Sequence, residues 1–222
     1  MSTAIHRDVL PQLNDIVIDS SRPVIITDAD EVLFHFMEGL EIFLESEDMY
    51  FDWASFALTG NIRHKSDQKP VDGSKIPMLL NQFFAEHSHS LPAVSGAAEH
   101  LEKLSEKAQI IVLSNIPPQY AHKRKEGLLK NNMDFPLVAN IGQKGRVVQY
   151  LTENLKSPAF FIDDIPTNHS SVSEHANHVH RLHFIADRRL AGLLGPAEHS
   201  HARLESWPDL HDHILSVIDE GL

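Results

Sequence analysis

The stretch Pro23-Val24-Ile25-Ile26-Thr27-Asp28-Ala29-Asp30 decides how this chain is read. Val24 to Ile26 are β-branched and form the short apolar run of a buried strand. The run stops at two carboxylates with one residue between them, so Asp28 and Asp30 fall at the strand's carboxyl end, where open α/β sheets bind their ligands. Two like charges this close repel unless something binds them, and a divalent cation is the usual answer. An Asp is also a nucleophile that forms an aspartyl-phosphate. Taken alone, the stretch reads equally well as a strand followed by an acidic turn.

Two later segments repeat the pattern. Gln109-Ile110-Ile111-Val112-Leu113-Ser114-Asn115 is a second apolar strand ending in a hydroxyl and an amide, groups that donate hydrogen bonds to phosphoryl oxygens and also end strands as turn residues. Ala159-Phe160-Phe161-Ile162-Asp163-Asp164 is a third, again delivering carboxylates, with Asn168 four residues on. Between them, Gly142-Gln143-Lys144-Gly145-Arg146 precedes the helical run Val147 to Leu155. A lysine at a helix start is not favoured by the macrodipole and suggests a partner of opposite charge.

In this order the four segments resemble the haloacid dehalogenase-like (HAD) superfamily of hydrolases. That family has Asp-x-Asp after its first strand, Ser or Thr after its second, Lys at a helix start and paired acids after its fourth. Here these are Asp28/Asp30, Ser114, Lys144 and Asp163/Asp164, and the resemblance runs from Pro23 to about Ala186. Asp163-Asp164 with Asn168 looks like the branch with a double Asp followed by Asn. The family usually continues its first motif with Gly and then Thr or Val; this chain has Glu31 and Val32.

The resemblance implies a magnesium-dependent phosphatase acting on a small phosphorylated molecule through an aspartyl-phosphate. Asp28 would be the nucleophile and Asp30 the acid and base. Ser114, the Asn115 amide and Lys144 would hold the phosphoryl oxygens. Asp28, the Asp30 carbonyl and Asp164 would bind Mg2+, with Asp163 and Asn168 bracing them from behind. Arg63 and Glu31 are candidate substrate contacts. Asp30 favours phosphoryl transfer over dehalogenation, since halide needs no proton to leave, while a phosphomutase uses the same residues. The alternative from another class is a non-enzymatic metal- or ligand-binding module of the same fold, favoured if Glu31 blocks the pocket.

The 222 residues suffice for one sizeable core with an inserted subdomain. With 42% hydrophobic and 23% charged residues, the composition is that of a soluble globular protein. There is no cysteine, which removes disulfides and thiolate chemistry. The net charge of −12 argues against a nucleic-acid footprint, which needs a basic face. No apolar run approaches the ~20 residues of a membrane span. Met1 to Arg7 lack a signal peptide's apolar core, so a cytoplasmic location is the expectation.

Strands alternate with helical runs, which predicts an α/β fold: a Rossmann-like, doubly wound parallel sheet core with an inserted small helical cap. The helical runs are 8–18, 97–107, Pro117 to about Lys130, 145–156, Arg188–Leu194 and Leu210–Ile218. Further strands fall at Leu137–Asn140 and Val179–Ala186. The segment between the first two motifs is too long for a simple connection. It holds three helix-like stretches, Phe36–Leu44, Tyr50–Leu58 and Lys75–His87, with a polar loop from Thr59 to Ser74. Residues 1–33 and 91–222 are therefore expected to form the core domain and 34–90 the cap, whose sequence carries no recognisable substrate code.

Other motifs are weaker. Of the 16 histidines, the densest group is His175, His178, His180 and His183. His180 and His183 have opposite strand parity, so the four do not converge and surface enrichment is the expectation. His169 stands out because it follows Asn168. Arg63, His64 and Lys65 form a basic tip on the polar loop, either solvated or gripping substrate, while Trp53 and Phe56 read as packing residues of the insert. Ser114 lacks the Gly-x-Ser-x-Gly elbow of serine hydrolases. The glycine-rich nucleotide fingerprints are absent. Oligomeric state is not encoded in any feature of the chain.

Overall fold

The computed structural model describes residues 4–220. Its centre is a six-stranded, all-parallel sheet built from β1 (Val24–Thr27), β4 (Gln109–Ser114), β5 (Leu137–Ala139), β6 (Ala159–Asp163), β7 (His180–Phe184) and β8 (Ala202–Leu204). The order across the sheet is β5-β4-β1-β6-β7-β8. The chain therefore reverses direction of travel at β1, which pairs with β4 on one side and β6 on the other. This is the Rossmann-like, doubly wound arrangement expected from the sequence, and the switch point lies at β1.

The central strands are buried on both faces, so alternate side chains feed two cores. Ile25 joins the larger one, with Phe34, Phe43, Phe83, Leu101, Trp207 and Ile214. Val24 and Ile26 join a smaller one with Leu13, Val147, Val148, Leu151 and Val172. The large core is covered by α4 (Ala97–Ser105) and α9 (Trp207–Glu220), and the small one by α1 (Leu10–Asn14), α6 (Gly145–Thr152) and α7 (Pro166–His175). α5 (Ala121–Lys130) follows a short 3-10 turn at Pro118–Tyr120, and α8 (Arg188–Leu193) follows β7. The expected N-terminal helix is only the five residues of α1, and β8 and α7 were not anticipated. No helix among the described residues is long and apolar enough to cross a membrane.

The segment between β1 and α4 holds α2 (Phe36–Ser46), a hairpin of β2 (Met49–Phe51) and β3 (Ile62–His64), and α3 (Ile76–His87). Its first and last helices match the sequence reading, but the helix expected over Tyr50–Leu58 is absent. Tyr50 instead pairs with Arg63 in the antiparallel hairpin. The buried Asn61 supplies the donors that a helix would have provided internally: its Nδ2 donates to the carbonyls of Ser55 and Ala57, each at 2.8 Å. A side-chain amide thus takes the place of main-chain helical hydrogen bonds, which apolar spacing cannot reveal.

Candidate active site

Three neighbouring strands deliver the acids and the hydroxyl to one edge of the sheet. Thr27 lies level with Val112 on one neighbour and Ile162 on the other. Asp28 follows immediately, its amide donating to the Ile162 carbonyl at 2.8 Å. Ser114 and Asp163 end the flanking strands at the same rim.

Lys144 ties the rim together. It precedes the first residue of α6, is fully buried, and places Nζ 2.8 Å from Asp28 Oδ1 and 2.7 Å from Asp163 Oδ2. Burial pulls its pKa down, but Asp163 and Asp28 outweigh burial and raise it above the ordinary lysine value. Gly145 makes this placement possible. A Cβ there would lie 2.2 Å from the Ser171 carbonyl oxygen, so only glycine lets α6 meet α7 closely enough to seat Lys144.

The two acids after β6 have different surroundings. Asp163 accepts from Lys144, from Asn168 Nδ2 at 2.9 and 3.1 Å and from the Ile165 amide at 2.9 Å, so its acceptor positions are filled by protein donors. Asp164 Oδ1 is buried with no hydrogen-bond partner, and Ser114 Oγ is buried and equally unpartnered. Carboxylate oxygens of Asp28, Asp163 and Asp164 all lie within 4.8 Å of one another. Burial, together with Asp163 and Asp28, raises the Asp164 carboxyl well above its ordinary range. Burial, opposed by Lys144 and reinforced by Asp163 and Asp30, pushes the Asp28 carboxyl up to about 7.

An orphaned carboxylate oxygen facing crowded acids suits a hard, oxygen-seeking cation such as Mg2+, which takes one or two carboxylates and keeps waters. Asp28 fits as a partner ligand. Its Oδ1 is engaged by Lys144 and by the Ala29 amide at 2.7 Å, while Oδ2 has no protein donor. Asn168 is buried and donates from Nδ2 to Asp163.

Asp30 is paired to a residue the sequence reading missed. Arg124 on α5 is fully buried, donates from Nη2 to Asp30 Oδ1 at 2.6 Å and lies over the Phe34 ring. Its Nε and Nη1 have no hydrogen-bond partner. A signal existed: Arg124 stands four residues before the buried Leu128, on the inward stripe of α5.

Glu31, Arg63 and the Asn115 side chain are all held by protein partners. Glu31 is 2% exposed at φ 57°, and its carboxylate accepts from the Met37 amide at 2.7 Å and the Asp187 amide at 3.0 Å. The side chain thereby caps α2 and ties it to the start of α8, with burial pushing its carboxyl up to about 7. Arg63 lies on β3, bound to Asp52 at 2.9 Å and to the Gln68 carbonyl, away from the acidic rim. The Asn115 side chain is held by its own loops, donating to Gly142 O at 3.0 Å and accepting from Asn140 at 2.7 Å, which leaves its main chain as the part available to a ligand.

Two histidines are fully buried beneath the paired acids: His183, expected at the surface, and His169, which stood out beside Asn168. His183 Nδ1 accepts from the Ala197 amide at 3.1 Å, so Nε2 carries the proton and donates to the Asp164 carbonyl at 3.0 Å. His169 Nε2 donates to the Asp163 carbonyl at 2.9 Å. Burial lowers both pKa values, to about 4 for His183. Neutral imidazoles thus fix the main chain that presents the acids. His180, on the opposite face of β7, stacks on His201 with ring centroids 4.5 Å apart and meets His213, well away from the acids.

A cavity of about 230 Å³ opens over Asp28, Asp30 and Asp164 and is walled by residues of α2, α3, the hairpin loop and α8.

No protein-family model and no curated protein matches the sequence. Solved structures do. A HAD family hydrolase from Deinococcus radiodurans R1, with bound phosphate and sodium, superposes with a TM-score of 0.58 at 14% identity over 89% of this chain and 97% of its own. A haloacid dehalogenase-like family hydrolase from Streptococcus pneumoniae gives 0.60 at 11% identity, covering 88% and 99%. A haloacid dehalogenase-like protein of unknown function from Agrobacterium tumefaciens gives 0.60 at 12% identity, covering 87% and 98%. The chain has the fold of the haloacid dehalogenase-like hydrolases.

Proposed function

We propose that this protein is a magnesium-dependent phosphatase that hydrolyses a small phosphate monoester through an aspartyl-phosphate on Asp28. The observation that carries the reading is the buried triad of Asp28, Lys144 and Asp163 beside the unpartnered oxygen of Asp164. One carboxylate oxygen of Asp28 forms the new bond to phosphorus as the ester P–O bond breaks, and the other would serve the metal. Asp30 gives its proton to the departing oxygen and then takes one from the water that cleaves the acyl-phosphate. Lys144, Ser114 Oγ and the Asn115 amide hold the phosphoryl oxygens. Asp28 and Asp164, with the Asp30 carbonyl, would hold Mg2+, which supplies positive charge against the phosphoryl oxygens. Asp163 keeps Lys144 aimed, and Asn168, His169 and His183 keep the Asp163-Asp164 main chain in place. Residues 34–90 serve as a cap over the core formed by 1–33 and 91–222.

The bound phosphate in the Deinococcus structure supports a phosphorylated ligand. Glu31, the feature that favoured a non-enzymatic module, lies in the cavity wall with its carboxylate held by two main-chain amides, so it does not fill the cavity, which leaves the enzyme reading ahead. Hydrolysis of 4-nitrophenyl phosphate tests it. Turnover should require Mg2+ and fall at least about 10³-fold in Asp28→Asn, because the nucleophile is lost. Absence of metal-dependent turnover across a broad phosphate panel would favour the binding module.

A further inference from the structure

The walls of the cavity limit what can be attached to the phosphate. On the sheet side it is lined by carboxylates: Asp28, Asp30, Glu31 and Asp164. The opposite side is apolar. Phe36, Phe56 and Phe84 present aromatic rings, and Leu58, Leu80 and Leu190 complete the wall. None of the lining residues is Lys, Arg or His. The nearby cations stand outside the lining: Lys144 is held between Asp28 and Asp163, and Arg124 is paired with Asp30 through Nη2. A neighbouring hollow of about 420 Å³ shares Leu80, Phe84 and Asn115, and its further polar side chains are the uncharged amides Asn81 and Asn140.

We propose that the substrate carries a single phosphoryl group on a compact, uncharged, largely apolar remainder, such as an aryl, arylalkyl or short branched-alkyl group. This rests on the phosphatase reading and adds the substrate class to it. Two physical reasons converge. A second anionic group would enter a cavity whose ionisable lining side chains are all carboxylic acids, with no Lys, Arg or His among them to receive it. A sugar or polyol would have to leave hydroxyls unpaired against phenylalanine and leucine, at roughly 1–3 kcal/mol for each group stranded. An apolar group loses no hydrogen bonds there and gains burial against three rings. The cavity is also below the ~300 Å³ at which drug-sized ligand pockets usually begin, which suits a group about the size of one ring beside the phosphate.

The test compares benzyl phosphate with glucose 6-phosphate and 3-phosphoglycerate in Mg2+. All three are esters of primary alcohols, so their differences read the pocket more than the leaving group. Benzyl phosphate should exceed glucose 6-phosphate in kcat/KM by about 100-fold or more, and 3-phosphoglycerate should be the poorest. Leu80→Asn, a partly exposed site, should narrow the benzyl-to-glucose ratio. Equal or better turnover of the hydroxylated or carboxylated esters would overturn the inference and leave the phosphatase reading standing. If no ester is hydrolysed, the phosphatase reading fails, and calorimetry then decides the pocket alone. Benzylphosphonate binding at least tenfold tighter than methylphosphonate supports it; equal binding overturns it.

Discussion

Glu31 occupies a backbone position with φ of 57°, in the left-handed region that favours glycine, directly after the Asp-x-Asp motif. The strain is of order 1 kcal/mol, and the carboxylate offsets it by accepting two main-chain amides that no other group reaches. Glu31→Gly should therefore destabilise the protein by about 2 kcal/mol despite relieving the backbone, since each such charged hydrogen bond contributes about 1.5–3 kcal/mol. Urea unfolding measures the sign; a gain in stability would mean the strain outweighs the cap. Arg124 and Asp30 are similarly asymmetric. The guanidinium is fully buried, whereas the Asp30 side chain is 19% exposed. Asp30→Ala strands a buried charge and should cost about 3–5 kcal/mol. Arg124→Met fills the space without a charge and leaves an aspartate that water can reach, so its loss should be clearly smaller. Equal losses in the two variants would contradict the asymmetry. The Arg124–Asp30 pair was not legible in the chain, because α5 and the loop after β1 are almost a hundred residues apart.

At the scale of elements, the approach of α6 to α7 decides where Lys144 points. The contact is made at Gly145 against the Ser171 carbonyl. Gly145→Ala should force the helices apart, destabilise by about 1–3 kcal/mol as an overpacked interface does, and lower kcat more than it raises KM, because Lys144 moves while the cavity walls stay. Unchanged kinetics in a folded variant would remove Lys144 from the chemistry. The Gly-x-x-Gly stretch before this helix was visible in sequence, and so was Lys144 at its start. The close approach that makes glycine obligatory there was not. The insert shows the opposite case. Apolar spacing at Tyr50–Leu58 suggested a helix, but the pairing of Met49–Phe51 with Ile62–His64 and the buried Asn61 amide prevailed. Short segments take their structure from partners they meet only after the chain has folded.

Across the whole molecule, two sets of buried or half-buried ionisable groups oppose each other. The carboxyls of Asp28 and Glu31 are pushed up to about 7 from 3.8 and 4.5. The folded protein holds protons there that the unfolded chain releases, so these groups add stability as pH falls from about 7 toward 4.5. His180 and His183 are held down to about 4 from 6.5. The unfolded chain takes protons there that the folded one refuses, so their contribution is complete above pH 6.5 and is lost on the way to pH 4. Replacing His180, which is remote from the acids, by Phe should reduce the stability lost between pH 6.5 and 4 relative to wild type, as read by urea midpoints. An unchanged acid limb would show that His180 titrates normally.

Metal supplies a second handle on the same balance. Mg2+ at a hundred times its dissociation constant should stabilise the fold by about 2.7 kcal/mol and raise the thermal midpoint. Asp164→Asn should abolish that response while raising metal-free stability, since it removes one of the crowded like charges. A full magnesium response in Asp164→Asn would place the ion elsewhere.

By itself the sequence determined that β-branched runs would become buried parallel strands and that Asp28, Asp30, Ser114, Asp163 and Asp164 would stand at their carboxyl ends. Strand propensity and alternating burial act within a few residues, and strand order follows from helices that must cover both faces. Only the tertiary structure decided which partners those groups meet: Arg124 on Asp30, two backbone amides on Glu31, neutral His169 and His183 beneath the paired acids, and an apolar wall opposite. Such pairings depend on distances between elements far apart along the chain, and local sequence pattern carries no measure of those distances.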